Sequence, residues 1–289
     1  MTDPIPAFLA SHGLPPSARA AVERLHAPLA DWIAAEQAAH ARPLVVGLCG
    51  AQGSGKSTAT LVIAHLLRGR GLAVASLSLD DLYLTRAERQ ALAARVHPLL
   101  ATRGPPGTHD IALGEAVIDG LCRAGATAIP SFDKAVDDRR PGADWPVFEG
   151  PADIVLLEGW CVGAVPQPDA ALVQPINDLE RQEDAEGVWR RYVNDALADY
   201  QPLFARLDRL ILLEAPSFAV VERWRGEQEA KLRETAAGAA SRVMTDAELV
   251  RFIQHYERLT RRILEEMSAR ADAVATLDER RDLTGLSFR

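Results

Sequence analysis

The run Gly50-Ala51-Gln52-Gly53-Ser54-Gly55-Lys56-Ser57 sets three glycines, a lysine and two hydroxyls within eight residues. A glycine, four residues, then Gly-Lys-Ser is the spacing of a loop that wraps phosphate. Its glycines let backbone N–H groups turn inward around phosphate oxygens. Lys56 supplies a point charge to the outer phosphates, and the Ser57 hydroxyl can reach a Mg²⁺ ion. The expected nucleotide contacts are therefore Gly50, Gln52, Gly53, Ser54, Gly55, Lys56, Ser57 and Thr58. A flexible Gly/Ser loop is the alternative, and it leaves the lysine without a purpose.

Such a loop needs a strand before it and a helix behind it. Residues 44–49 are a short apolar run of strand type. Residues 58–67 are apolar at helical spacing through Leu61, Ala64 and Leu67,. The helix N-terminus would add its dipole to the same anion site. Further strands are expected at 72–79, 154–157, 207–213 and 273–277. Helical patterns lie near 111–124, 186–204, 217–234 and 246–268, and the last opens on a capping box, Thr245-Asp246-Ala247-Glu248,. Strands separated by helices predict an α/β fold, a parallel sheet covered on both faces. Residues 1–42 read as an appended helical segment, with Val22, Leu25, Leu29, Trp32 and Ile33 on one face. The main domain is then 43–289. Residues 139–151 read as an irregular surface excursion, 236–240 as a mobile loop, and 217–243 as lid-like.

In open α/β sheets the ligand crevice lies beyond the carboxyl ends of the strands. Asp80 and Asp81 follow the second expected strand and so reach that edge. A carboxylate there can orient an attacking hydroxyl and take its proton, or hold Mg²⁺ through water; a turn or cap aspartate is the plainer reading. Asp81 and Tyr83 are expected on the substrate side. Glu158 ends the third strand, where a P-loop enzyme places its second acidic group. Ser57, Asp80 and Glu158 are thus the candidate metal set.

The segment 103–110 is rich in turn formers before a helix. Arg103, Thr108, His109 and Asp110 are its candidate substrate contacts, although Thr108 or Asp110 also suits a helix cap. Asp133 and Lys134 read as a second substrate wall or as a surface turn pair. Lys134 and Arg103 are suited to a substrate carboxylate. Arg223 and Arg225 lie on a predicted helix. Arg225 is expected as the catalytic cation and Arg223 as a nucleotide contact; one of them can neutralise a transferring phosphoryl group, with solvated helix arginines as the alternative. Trp224 between them reads as packing.

The 289 residues carry a net charge of −8. A broad basic face for nucleic acid or an anionic membrane is not expected. No apolar run approaches a membrane span, and residues 1–16 lack a secretory pattern. Three isolated cysteines, Cys49, Cys122 and Cys161, suit reduced thiols in a cytoplasmic protein,. A guanine-type Asn-Lys-x-Asp, zinc-ligand histidine spacing and a Gly-x-Ser-x-Gly elbow are all missing. The sequence specifies no oligomeric state.

These segments, taken in order, resemble the D-glycerate 3-kinase family, the plant-type glycerate kinases and their bacterial and fungal relatives. That family is related to pantothenate kinase, uridine kinase and phosphoribulokinase. The resemblance rests on 50–58, Ser78-Leu79-Asp80-Asp81-Leu82-Tyr83-Leu84-Thr85, Arg103-Gly104 with Gly107-Thr108-His109-Asp110, and Phe132-Asp133-Lys134. It continues through Trp145-Pro146 with Glu149-Gly150-Pro151, Leu157-Glu158-Gly159-Trp160 and Val193-Asn194. It ends with Trp224-Arg225, Gln228-Glu229, and Met244-Thr245-Asp246 with Glu248. It covers about 44–270; Pro105-Pro106 and 167–187 depart from the pattern.

The resemblance implies a three-layer αβα P-loop kinase with a mainly parallel sheet. It implies ATP and Mg²⁺ as cofactors and phosphoryl transfer to a hydroxyl of a small metabolite, D-glycerate giving 3-phosphoglycerate. Asp80 would be the base or orienting carboxylate, and Lys56 and Ser57 would hold phosphates and metal. Glu158 would organise the metal's water shell, and His109 with Asp110 would match a substrate-contact motif. Two alternatives stand beside it. One is a kinase for a pantothenate-like or nucleoside-like acceptor. The other is a nucleotide-dependent regulatory protein that hydrolyses ATP slowly.

Overall fold

The computed structural model describes residues 5–235 and 244–289, so the loop expected at 236–240 lies outside the described residues. Ten strands occur among the described residues. They are β1 (Leu44–Gly50), β2 (Val74–Ser78), β3 (Gly125–Ala128), β4 (Phe132–Asp133), β5 (Asp138–Arg139), β6 (Val147–Gly150), β7 (Ile154–Gly159), β8 (Arg209–Glu214), β9 (Ala273–Leu277) and β10 (Leu283–Phe288). Six form one sheet in the order β10-β9-β8-β1-β7-β2. Its five inner pairings are parallel except β9 with β10, which is antiparallel. Every residue of β1 and β7 is buried. That is why both read as unbroken apolar runs, as strands covered on two faces do.

Alternation along each strand divides the core in two. Val45, Ala75, Leu77, Val155, Leu157 and Leu212 face one layer, with Ile118, Leu197 and Ile263 from its helices. Leu44, Val46, Leu48, Ile154, Leu156 and Leu213 face the other, with Ile63, Leu67 and Trp224. The helix Ala27–Ala38 belongs to this second layer through Leu29, Ala30 and Ile33, none of which is exposed. Burying each of the two larger side chains contributes roughly 1.5–3 kcal/mol. A helix–sheet–helix sandwich results.

Parallel strands have no hairpin to set their register. Here three aspartates do it, each just before a strand. Asp153 Oδ2 accepts from the Ala73 N–H at 2.7 Å, Asp208 Oδ2 from Val45 at 2.9 Å, and Asp272 Oδ2 from Leu210 at 2.7 Å. Each also donates its own N–H to the carbonyl of that same residue at 2.8 Å. The three grips sit at the N-terminal ends of the strands, opposite the edge where Gly50, Ser78 and Glu158 lie. The Asp153 grip fixes Ser78 beside Glu158, and the backbone pairing of β1 with β7, which starts from the Leu44 N–H on the Asp153 carbonyl, sets Glu158 beside Leu48. A one-residue slip would turn Glu158 to the other face.

The segment 139–151, expected to be irregular, contains β6, which pairs antiparallel with β3, and the end of the β4–β5 hairpin. Its strands are short and largely exposed, so no apolar alternation marks them. The edge strand β10 was also not expected. The helix opened by Thr245 runs Asp246–Glu266, and both bonds of its capping box are present. Among the described residues no helix is long and apolar enough to cross a membrane.

Candidate active site

β1 ends at Gly50 and the next helix begins at Lys56. Gly53 and Gly55 between them hold φ of +78° and +88°. Only glycine takes that left-handed region without penalty. At Gly53 a side chain is barred a second time, because its Cβ would stand 2.7 Å from Trp224 Cβ. Gly55 gives the helix Lys56–Arg68 no side-chain cap. The N–H groups of its first turn are thus left for an anion.

A cavity of about 470 Å³ opens over this loop. Gln52, Gly53, Lys56 and Ser57 line it, as do Asp80, Tyr83, Arg103, Lys134 and Arg225. Trp160, Gln228, Phe252 and Tyr256 complete the wall. Among the described residues four cationic side chains and one carboxylate face this space, in a chain whose net charge is −8. A cleft lined by one sign of charge concentrates ligands of the opposite sign.

Glu158 joins the loop to the acidic side of the site. Its Oε1 accepts from both the Ser57 hydroxyl and the Ser78 hydroxyl, each at 2.9 Å. Its Oε2 is buried and has no hydrogen-bond partner. A buried carboxylate oxygen beside a P-loop hydroxyl is a donor that fits a hard cation. No cluster of three or more His, Cys, Asp or Glu side chains suited to a metal occurs among the described residues. A cation held here would share its shell with phosphate and water, as Mg²⁺ commonly does.

Asp80 leaves β2 in a short helical turn capped by Ser78, whose hydroxyl accepts from the Asp80 N–H at 3.3 Å. Tyr83 donates its hydroxyl proton to Asp80 Oδ1 at 2.8 Å, and Lys134 Nζ donates to Oδ2 at 2.6 Å. Burial works to raise the Asp80 pKa. The charges of Lys134 and Lys56 and the hydrogen bonds from Lys134 and Tyr83 outweigh it, and hold the carboxyl well below the usual carboxylate range,. Asp80 is therefore ionised at neutral pH.

Arg103 pairs with Asp137 and lies over the Phe132 ring, 5.7 Å from its centroid. The backbone of Arg103 is seated on the last long helix, where Tyr256 donates its hydroxyl to the Arg103 carbonyl at 2.9 Å. Trp160 Nε1 donates to the next carbonyl, Gly104, at 3.1 Å. Arg225 extends from the helix Phe218–Thr235 over the Phe252 ring at 5.7 Å.

Other sequence-predicted residues lie behind this wall. Asp81 Oδ1 accepts from the Phe132 N–H at 2.9 Å, and burial pushes its carboxyl up to about 6. Thr108 is fully buried and donates its hydroxyl to Pro105 at 2.7 Å. His109 Nδ1 meets the Tyr200 hydroxyl at 2.6 Å, which also accepts from the Gly107 N–H at 2.9 Å. His109 Nε2 is buried without a hydrogen-bond partner. Burial pushes His109 down to about 3, and its ring lies 4.7 Å from that of Tyr83. Asp110 caps the helix Ile111–Leu121 through the Leu113 N–H at 3.0 Å and pairs with Arg139. Asp133 accepts from the Ala135 N–H and from Arg140. Arg223 turns to Glu279, away from the cavity lining. Ser54 is buried, with its hydroxyl unpartnered. Trp224 is fully buried packing.

Four wall residues were not among those expected: Trp160, Gln228, Phe252 and Tyr256. Trp160 carried a signal, since it follows Glu158 by two at the ligand edge. Phe252 and Tyr256 stand four apart on one helix, a spacing that core packing shares.

No protein-family model matches the chain. An uncharacterized kinase of Schizosaccharomyces pombe, mug58, is 35% identical over 226 residues, which span 74% of this chain and 79% of the yeast protein. The chloroplastic D-glycerate 3-kinase of Arabidopsis thaliana is 31% identical over 232 residues, 74% of this chain and 46% of the plant protein. Among solved structures, D-glycerate 3-kinase from Cryptococcus neoformans shares the fold with a TM-score of 0.76, over 92% of this chain and 99% of that one, at 24% identity. The phosphate loop, the acidic edge beside it and these relatives agree: the chain is a P-loop kinase and belongs to the D-glycerate 3-kinase family.

Proposed function

We propose that this kinase uses MgATP to phosphorylate a hydroxyl of a small carboxylate-bearing metabolite, D-glycerate, giving 3-phosphoglycerate. One observation carries the reading. A single cavity is lined by the phosphate loop, by an ionised Asp80 and by two cations, Arg103 and Lys134, on separate loops. A polyphosphate, a hydroxyl nucleophile and a carboxylate each find a matching group there.

The loop N–H groups and Lys56 hold the outer phosphates. Ser57 and Glu158, with Asp80, would hold Mg²⁺, which when bound would neutralise charge on those phosphates. Asp80 accepts a hydrogen bond from the acceptor hydroxyl and aims its oxygen at the γ-phosphorus. The new P–O bond forms as the bond to the β-phosphate oxygen breaks, and the hydroxyl proton passes to Asp80. So acidic a carboxyl is a weak base, so its main service is orientation, with proton transfer late. Arg225 neutralises charge on the transferring group. Lys134, 59% exposed on a flexible stem, can leave Asp80 for the substrate carboxylate,. Three free cysteines suit a reducing compartment, and we place the protein in the cytoplasm,.

The test is ADP release from MgATP with D-glycerate, pantothenate or uridine in parallel. Stimulation by D-glycerate alone is expected. Stimulation by pantothenate or uridine would move the acceptor and keep the kinase. ATP binding without stimulation by any of the three would refute D-glycerate as the acceptor and leave an untested acceptor or a regulatory role.

A further inference from the structure

Arg281 lies in the turn between β9 and β10, more than two hundred residues from the phosphate loop it touches. Its Nε donates to the Gly53 carbonyl oxygen at 2.6 Å. Its Nη2 pairs with Glu227 at 2.7 Å and reaches the Trp224 carbonyl at 3.4 Å. The guanidinium also lies over the Trp224 ring, 5.1 Å from its centroid. One side chain therefore ties the phosphate loop to the helix that carries Arg225 and Gln228 into the cavity.

The turn that presents Arg281 is itself braced. Asp278 Oδ1 accepts from the N–H groups of Arg280 and Asp282, each at 2.8 Å. The Glu279 carbonyl accepts from Trp224 Nε1 and from Arg223, each at 2.8 Å. Arg281 has a φ of +71°, a conformation that residues with side chains seldom adopt,. Such a backbone persists where its surroundings over-determine it, and it recurs at functional positions.

The peptide plane explains why this contact matters. The Gly53 carbonyl and the Ser54 N–H belong to one rigid amide and point in opposite directions. Arg281 holds the carbonyl outward. The Ser54 N–H is then held inward, where it closes the loop on the Ala51 carbonyl at 3.1 Å.

We propose that Arg281 is a positioning residue for nucleotide binding. It fixes the Gly53 peptide and sets the phosphate loop at a defined distance from the helix of Arg225 and Gln228. This rests on the reading of the loop as the ATP site. Lysine at 281 keeps the charge but cannot grip Gly53 and Glu227 together while stacking on Trp224.

The experiment titrates MgATP calorimetrically into the wild type, Arg281→Ala and Arg281→Lys, and measures thermal midpoints without nucleotide and the acceptor KM. Arg281→Ala is expected to raise the MgATP Kd about tenfold or more, the scale of a lost charge-assisted hydrogen bond. Arg281→Lys should recover part of that loss, with the acceptor KM unchanged within about twofold. A merely structural residue would lower the midpoint and leave the Kd of the folded protein unchanged. That result, or a wild-type Kd in folded Arg281→Ala, overturns the proposal. If Arg281→Ala does not fold, Arg281→Lys and Glu227→Gln carry the test. A Kd raised about threefold in each supports the proposal, and wild-type values in both overturn it. A wild type that binds no MgATP refutes the ATP-site reading itself.

Discussion

Lys134→Ala separates the two partners available to this lysine. In the structure Lys134 holds Asp80 at 2.6 Å with its side chain 59% exposed. An ion pair so open to solvent is worth about 1 kcal/mol or less. At about 1.4 kcal/mol per pKa unit, its loss raises the Asp80 pKa by under about one unit. Lys56 and the Tyr83 hydroxyl still act on that carboxylate. It starts well below the usual range, so it stays ionised at neutral pH in the variant. Turnover at saturation should therefore fall only a few-fold. An acceptor carboxylate, by contrast, loses a hydrogen bond to a charged group, worth about 1.5–3 kcal/mol. The acceptor KM should rise about 10- to 150-fold, and the ATP KM should stay within about twofold. The assay is coupled ADP release at fixed saturating MgATP with D-glycerate varied, then the converse. Glycerol serves as an acceptor without the carboxylate, and its low activity should change within about twofold. An unchanged D-glycerate KM, or an equal loss with glycerol, would refute the carboxylate role and leave Lys134 as a partner of Asp80 only.

Asp80→Asn should retain MgATP binding, read by calorimetry, while kcat falls about 10²–10⁴-fold, since the amide can neither orient the hydroxyl as an anion nor take its proton; an equal loss of binding would make Asp80 chiefly a metal organiser. Asp81 gives a stability signature with pH. Its folded pKa, about 6, lies above the ordinary 3.8, so the folded state holds the proton more tightly. Stability from this group is complete below about pH 4 and lost as pH rises through 6. Asp81→Asn keeps an acceptor for the Phe132 N–H and has no charge to bury. Its thermal midpoint should exceed that of the wild type above pH 6 and converge with it near pH 4. A constant difference across that window would refute the assignment.

What the sequence revealed depended on whether chemistry left a periodic or spaced trace. The phosphate loop and Glu158 were legible because a motif or an acidic residue ended an unbroken apolar run, and Asp80 because it followed the partly buried strand Val74–Ser78; each placement fixes both strand and edge. Arg103 and Lys134 were legible as cations. Their pairing with Asp137 and Asp80 was not, because those contacts join loops that only the fold brings together. Phe252 and Tyr256 carry the same spacing whether they line a cavity or fill a core. His109 shows the converse. A histidine in a turn-rich loop invites a substrate role, yet Tyr83 and Tyr200 enclose it. Strand β10 escaped notice because exposed edge residues such as Thr284 and Ser287 blur its alternation. Arg281 left no local trace, since its side-chain partners Gly53, Trp224 and Glu227 lie in other segments.

The aspartates at the far end of the sheet separate two tasks that a single loop would otherwise share. Strand alignment is decided at Asp153, Asp208 and Asp272, and chemistry occurs at the opposite edge. Changes in the loops proposed to take the acceptor, 103–110 and 132–139, then act on what is recognised, and Glu158 remains opposite Ser78. Such a chassis lets substrate preference drift across a lineage while the nucleotide half stays in tune, because a new pocket need not solve the folding problem again.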